Sequence, residues 1–363
     1  MKTIETQARP RTPGHPWLQL SQLPELPDSV RDGEALGLVD SEGNFLGCGI
    51  LDRNDEFAAW RRYTQADAVP FDEYYLTTAL LEAVERRGNQ SCQRLVSSDA
   101  DYLPGLVVES YGDVLRLSLE TVAMRAQVEL IVELLGEFLS PVEIVLDAGQ
   151  SPKTVSGHGL KGRWVEIDEL LYRIDFLNTD KPRYFLEQRE QHTLVGSLCE
   201  GRIVLDLFSH CGAFALQALW AGAERAIAVD LNDNYAKAIG ANANRNELQV
   251  ETASGDALDY LRNTEASGCD VIVLDPPSAF YAEGDVALEL HRAAFASLPQ
   301  GGLLATYCRD TSLPDFDSFV AGAAAVAGRE ARIFARTSQP FDFPMLLNFP
   351  QSQIIRGLIL QVE

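Results

Sequence analysis

The chain reads as an α/β protein with three parts. A doubly wound parallel-sheet domain fills the C-terminal half, preceded by a small β-rich domain and an α+β middle domain. Three observations predict this. From residue 203 onward, short apolar runs ending in an acid recur, each followed by a helical segment. Between His15 and about Tyr63, strand-like runs alternate with turns. Between them, helix, hairpin, helix and strand patterns follow in the β-β-α-β order of a compact α+β unit. The expected boundaries are 1–68, 69–163 and 164–363. A length of 363 residues suits two or three domains, and 46% hydrophobic content supports sizeable cores.

Residues 1–14 are polar, with Pro10 and Pro13, and read as a loose arm. Gly37–Asp40, Ser41–Asn44 and Phe45–Ile50 form a strand, turn, strand pattern. Leu76, Leu80, Leu81 and Val84 lie at helical spacing within 70–90. Val107–Glu109 and Val114–Leu119 predict a hairpin around Tyr111-Gly112-Asp113. A helix over about 124–139 and a strand over Glu143–Asp147 follow, then a loop over 148–163. Trp164–Ile167 and Leu171–Phe176 predict a hairpin leading into the last domain, and 321–328 belongs to a packed helix.

The most informative stretch is 203–214. Ile203–Leu205 is a buried-strand run ending in Asp206, a turn with the single glycine Gly212 follows, and a helix starts at Ala213. Ligands of open α/β sheets sit at such turns. This turn lacks both the G-x-G-x-x-G of a dinucleotide site and the lysine-bearing loop that cradles phosphates. A one-glycine turn headed by an acid suits a ligand without a pyrophosphate, such as S-adenosylmethionine. Backbone groups of Ser209, His210 and Cys211 are expected to face it, with Phe208, Ser209 and Gly212 among the cofactor-binding residues. A second strand ends at Asp230, whose carboxylate, next to Leu231, suits ribose hydroxyls. Ser254-Gly255-Asp256-Ala257 follows a third strand and suits an adenine amino group, and a fourth strand ends in Asp275-Pro276-Pro277. One such acid is ordinarily a loop residue or helix cap; four in order predict a nucleoside-type cofactor.

The series Asp206, Asp230, Asp256 and Asp275-Pro276-Pro277 resembles the class I S-adenosylmethionine-dependent methyltransferases. More narrowly, the chain is similar to the bacterial three-domain 23S ribosomal RNA cytosine-C5 methyltransferases. The matching pieces are Arg94-Leu95-Val96, Asp101–Val108, Tyr184–Glu190, Gln339–Pro344 and Asn348-Phe349-Pro350. The resemblance implies a PUA-like first domain, a Rossmann-like catalytic domain, ribosomal RNA as partner and a homodimer as one assembly state. It places Gln188 and Arg189 beside the cofactor; the plain alternative for Arg189 is a surface ion pair with Glu187 or Glu190.

In that family Asp275 sits in the base pocket, fixed by Pro276 and Pro277. Carbon C5 of cytosine becomes nucleophilic only after a cysteine thiolate adds to C6. The sequence departs from the family here. Counted from Gly301-Gly302, the expected cysteine register falls on Arg309, and Cys308 precedes it. In a loop the slip is tolerable and Cys308 is the nucleophile. In a strand it turns the side chain to the other face, and Arg309 contacts a phosphate or a base edge instead. The loop after Pro277 lacks lysine, and Phe280 or Tyr281 is left to stack on a base. Three readings stay open. They are cytosine C5 methylation, methylation of another base atom such as a guanine nitrogen or of a non-RNA acceptor, and a non-catalytic cofactor-binding assembly factor.

The charge sits awkwardly with an RNA enzyme. The formal net charge is −23, and five lysines stand against twenty-five arginines. Arg53, Arg61 and Arg62 lie close in sequence as a local basic patch. The six cysteines are scattered, which speaks against a zinc site or a disulfide framework and for a reduced, cytoplasmic setting without a bound metal. No stretch approaches the length of a membrane span, so no membrane partner is expected.

Overall fold

The computed structural model describes residues 2–6, 14–55, 57–66, 68–147, 151–178, 183–262, 268–282, 284–309, 313 and 315–363. The chain divides into two compact units. One comprises 1–161 with 176–178 and 341–352; the other comprises 162–175, 179–340 and 353–363.

The first unit holds two five-stranded sheets. In one, the strands run in the spatial order Lys2–Glu5, Ala35–Val39, Phe45–Leu51, Trp60–Thr64 and Trp17–Leu18, around a core of Leu18, Val30, Leu36, Leu38, Leu51 and Trp60. The expected loose arm is therefore partly wrong. Lys2–Glu5 pairs in parallel with Ala35–Val39, and Ile4 packs on that core. Residues 7–13 of the arm lie outside the described residues. The second sheet runs Lys153–Ser156, Glu143–Asp147, Val114–Leu119, Leu106–Tyr111, Cys92–Ser97. The predicted hairpin closes as Tyr111 opposite Val114. The predicted helix 124–139 is two helices, Val122–Ala126 and Val128–Leu139: Thr121 starts the first by accepting from Met124 N at 3.4 Å, and Gln127, with φ −103° and ψ 12°, leaves helical geometry between them. Segment 341–352 belongs to this unit: Arg94 N donates to Asp342 Oδ2 at 2.7 Å, and the Arg94 guanidinium lies 4.3 Å from the Phe343 ring centre.

The second unit is built on a seven-stranded sheet. Its strands are β1 Ile203–Leu207, β2 Arg225–Asp230, β3 Glu251–Ser254, β4 Val271–Leu274, β5 Leu303–Cys308, β6 Ala331–Ser338 and β7 Arg356–Val362. The spatial order is β3-β2-β1-β4-β5-β7-β6. The first five are parallel, and β7 runs antiparallel between β5 and β6. Helices α1 Arg189–Ser197, α2 Ala213–Trp220 and α3 Asp233–Arg245 supply Val195, Phe214, Ala218 and Ile239 to one face. Helices α4 Ala257–Arg262, α5 Ala279–Ala282, α6 Gly284–Ser297 and α7 Phe316–Val326 cover the other with Leu261, Leu290, Phe295 and Val320. Covering both faces is why β1 and β4 read as continuous apolar runs. The predicted hairpin, Arg163–Ile167 with Leu170–Ile174, docks on α3, where Asn246 and Asn242 accept from Leu171 N and Arg173 N at 2.8 and 2.9 Å.

This is the Rossmann-like α/β fold the sequence predicts. The order reverses between β1 and β4, which opens a crevice at their carboxyl ends. Among the described residues no helix is long and apolar enough to cross a membrane, and no cluster of His, Cys, Asp and Glu is arranged to hold a metal ion.

Candidate functional site

The site begins at Asp206, at the carboxyl end of β1 and 1% exposed. Its Oδ2 accepts from Ser209 Oγ at 2.6 Å and from Ala215 N at 3.2 Å. Its Oδ1 has no hydrogen-bond partner among the described residues. Burial pushes the carboxyl up to about 7, against those two hydrogen bonds and with help from the charges of Asp275 and Asp230. A buried acceptor of this kind stays unsatisfied at a cost unless a ligand supplies a donor or a cation.

The turn that follows has a fixed shape. Phe208, His210 and Gly212 all carry positive φ, the last at +82°. A Cβ on Gly212 would stand 2.8 Å from Ile239 Cγ2, and with the positive φ this makes glycine the favoured residue. The turn is tied to the next strand: Ser209 N donates to Val229 O at 3.0 Å, and His210 N to Asp230 Oδ2 at 3.0 Å. Asp230 Oδ1 accepts from Asn232 N at 3.0 Å, and Leu231 stands exposed beside it. Asp256 Oδ1 accepts from Leu258 N and Asp259 N at 2.9 and 3.0 Å, which caps α4; Ala257 is buried beneath it.

Asp275 ends β4 and faces a cation. Arg309 Nη1 and Nη2 donate to its Oδ1 and Oδ2 at 2.5 and 3.2 Å, a two-toothed pairing. Arg309 Nε lies 3.6 Å from Glu187 Oε1, and the guanidinium sits 4.9 Å from the Phe185 ring centre. Phe185 stacks on His210 at 4.5 Å. Burial pulls the guanidinium down, but Asp275 and Glu187 more than offset it, so its pKa is raised. Burial, with Arg183 and Arg309 nearby, drives His210 down to about 3, so its ring is neutral and serves as a stacking surface rather than a base.

Cys308 is not part of this group. Strand β5 extends through residue 308, where Cys308 pairs with Arg356 of β7. Leu303, Ala305 and Tyr307 point to the α1 and α2 side, while Leu304 and Cys308 point to the α6 and α7 side. Cys308 is 1% exposed, in one cluster with Leu304, Phe316 and Leu358. The pleat of β5 thus sends consecutive side chains to opposite faces, and Arg309, not Cys308, meets Asp275.

Gln188 is fully buried, and neither polar atom of its side chain has a partner among the described residues. Arg189 is buried at the start of α1, and its charge acts on Asp168, whose pKa burial raises and Arg189 lowers. The plain alternative for Arg189 is an ion pair on the surface, and Arg189 is not at the surface. Pro276 is buried and Pro277 exposed. Phe280 is half-buried against Phe208, ring centres 5.4 Å apart. Tyr281 is a core residue, its hydroxyl donating to Tyr307 O at 2.6 Å. In the first unit, Arg61 and Arg62 are buried and Arg53 pairs with Asp32 at 2.8 Å, so the three form no open basic patch. Phe185 and Glu187, which hold Arg309, carry no sequence signal beyond their place in the Tyr184–Glu190 motif.

The residues fit a nucleoside with a cationic tail. Asp206 offers an unpartnered buried oxygen, the 208–212 turn a glycine-favouring backbone, and Asp230 and Asp256 two further carboxylates along one rim. The class that fold and site define is thus a Rossmann-like domain with a nucleoside-cofactor crevice. Comparison with known proteins agrees. The family described as Conserved hypothetical protein 95 matches residues 189–307, and the PUA-like domain family matches residues 6–61. The chain is 27% identical over 382 residues to ribosomal RNA large subunit methyltransferase I of Aeromonas salmonicida, covering 96% of each chain. A Streptococcus mutans structure provisionally named a SAM-dependent methyltransferase superposes with a TM-score of 0.87 at 19% identity, over 99% of this chain and 100% of that one. A structure provisionally named a methyltransferase and solved with SAH superposes at 0.86 and 18% identity, over 99% and 100%.

Proposed function

We propose that this protein transfers methyl groups from S-adenosylmethionine to large-subunit ribosomal RNA. The observation that carries the reading is Asp206: a buried, unpartnered carboxylate oxygen at the head of a glycine-favouring turn, in the crevice of this sheet order. The curated relatives, similar over nearly the whole chain, supply the RNA half of the reading.

When bound, the cofactor supplies an electrophilic methyl group on a sulfonium. The chain does the rest. Asp206, with Phe208, Ser209 and Gly212, holds the amino-acid end, and Gln188, just before α1, and Arg189, its first residue, close that end. Asp230 and Leu231 take the ribose, and Asp256 and Ala257 the adenine. Asp275, backed by Pro276 and Pro277, and Arg309 lie on the acceptor side, with Phe280 at the rim. We further propose the division 1–68, 69–163 and 164–363, the first part being the PUA-like one.

Two acceptor atoms are compatible with this activity. Cytosine C5 is what the family resemblance implies, and it needs a thiolate. A base nitrogen needs none, and the burial of Cys308 away from Asp275 favours it. The test uses ribosomal RNA from a strain lacking the gene and cofactor with a labelled methyl. Label must enter large-subunit RNA with the wild-type protein and fall to background with Asp206→Ala. Tight cofactor binding without label in any RNA would instead identify a non-catalytic binding protein.

A further inference from the structure

We infer that Arg309 selects the methyl acceptor, and that the atom methylated is a nitrogen on the pairing edge of a base. The inference rests on the methyltransfer reading above and goes beyond it in naming the atom.

The argument starts from what the site lacks. Attack on C6 of a pyrimidine requires a thiolate near Asp275. The second unit has four cysteines, Cys199, Cys211, Cys269 and Cys308, and all are buried. Cys308 packs in an apolar cluster on the α6 and α7 side of β5, and it is Arg309, not Cys308, that pairs with Asp275. Burial holds Cys211 and Cys199 as thiols, pushed up to about 12. An acceptor at this site must bring its own lone pair, and C5 of cytosine has none.

The second step is what the site offers. Arg309 and Asp275 lie side by side, their side chains 20% and 10% exposed, so the pair keeps some access to solvent. Arg309 is held on three sides, by Asp275, Glu187 and the Phe185 ring. Its guanidinium has five N–H donors, and two are spent on Asp275. Each Asp275 oxygen keeps a second lone pair. The pair therefore shows a donor next to an acceptor. Every base carries the complement on its pairing edge, an acceptor atom beside an N–H. Carbon C5 and the ribose hydroxyl lie off that edge.

The step balances without a co-reactant. The nitrogen lone pair forms the N–CH3 bond while the C–S bond breaks and its electron pair returns to sulfur. The N–H proton, hydrogen-bonded to Asp275, then passes to solvent. Asp275 turns the nitrogen's lone pair toward the methyl group, and Arg309 fixes the base in plane by donating to the neighbouring acceptor. Lysine could not do this, having one point charge for two carboxylates.

The experiment methylates large-subunit RNA lacking the modification, then digests it and identifies the methylated nucleoside by mass spectrometry. A parallel reaction uses RNA tritiated at cytosine C5. The expected product is an N-methyl nucleoside with no tritium release. Cys308→Ala should keep kcat/KM within about threefold, since a buried thiol is replaced by a smaller apolar group. Arg309→Met should lower kcat/KM by at least about a hundredfold, as for loss of a preorganised donor, with cofactor affinity held within about threefold. If Arg309→Met fails to fold by circular dichroism, Arg309→Lys keeps the charge and is expected to show the same loss. 5-Methylcytidine with tritium release, abolished in Cys308→Ala, would overturn the inference and leave the methyltransfer reading standing. Absence of label in every RNA, with cofactor bound, would remove both.

Discussion

Replacing Asp206 by asparagine should stabilise the cofactor-free protein and weaken cofactor binding. The carboxyl is fully buried, and burial lifts it from the ordinary 3.8 to about 7. Three units at 1.36 kcal/mol each make the ionised group cost about 4 kcal/mol in the empty protein. The sign follows from proton uptake. Between the ordinary value and 7 the folded protein holds a proton that the unfolded chain has lost, so this contribution to stability falls as pH rises and levels off above 7. Asparagine keeps an acceptor for Ser209 and Ala215 and carries no charge. Its amide NH2 takes the place of the unpartnered Oδ1, at about 1–3 kcal/mol. The net expectation at pH 8 is a gain of about 1–3 kcal/mol, a rise of a few degrees in Tm. At pH 5, where the wild-type group is protonated, the two proteins should melt together. The assay is thermal melting of both proteins without cofactor from pH 5 to 9, with calorimetry of cofactor binding at pH 8. Binding should weaken at least about tenfold, the loss of a charge-assisted contact. A variant that melts lower at pH 8, or a difference that does not change with pH, would refute the reasoning.

Three further outcomes are expected. Gly212→Ala should lower stability by about 1–3 kcal/mol, since both the +82° φ and the contact with Ile239 oppose it; Gly201→Ala, at φ +67° with nothing within 4 Å, should cost less. Burial pushes His192 and His210 down to about 3 and His291 down to about 4, so their imidazole resonances should not titrate between pH 5 and 8. The unfolded chain takes up protons below about 6.5 that these rings refuse, so stability present above that pH is lost as pH falls toward 4; a native imidazole of this set titrating near 6.5 would contradict it. Binding to bare RNA should depend only shallowly on salt, with a log–log slope smaller in size than about 3, because so many arginines are spent within the protein. A slope of about −6 or steeper would show a phosphate-tracking surface.

The placement of the acids at the strand ends was legible because it depends on local signals. A parallel strand covered on both faces must be an apolar run, and the residue at its carboxyl end must face the crevice. Asp206, Asp230 and Asp275 could therefore be placed by reading alone. The acceptor half depends on where β5 ends. The run Gly302–Thr306 gives no hint that pairing continues to Cys308. That extension comes from Arg356, 48 residues away, which pairs with Cys308 and donates to Leu313 O at 2.7 Å. One more paired residue turns a loop cysteine into a core cysteine and hands the site to Arg309. Long-range pairing likewise hid the Lys2–Glu5 strand, a mostly polar run that joins a sheet through its backbone with Ile4 as its one core contact.

The acidity of the chain and the chemistry of its site have a common logic. Four carboxylates, of Asp206, Asp230, Asp275 and Glu187, crowd one crevice, while Arg309 is bound to two of them. Carboxylates placed there suit a cationic methyl donor better than a phosphate. Elsewhere the same economy recurs: Arg61 joins Asp55 and Asp99, Arg116 joins Glu109 and Asp147, and Arg225 joins Glu251. Arginine in these places stitches carboxylates together; it does not gather polyanions. If the substrate is ribosomal RNA, as proposed, recognition must then rest on the edges and faces of a base rather than on counterion release. A guanidinium locked beside a carboxylate, with some access to solvent, is suited to that task. In this protein the residue that decides the acceptor is therefore expected to be an arginine that reads a base edge.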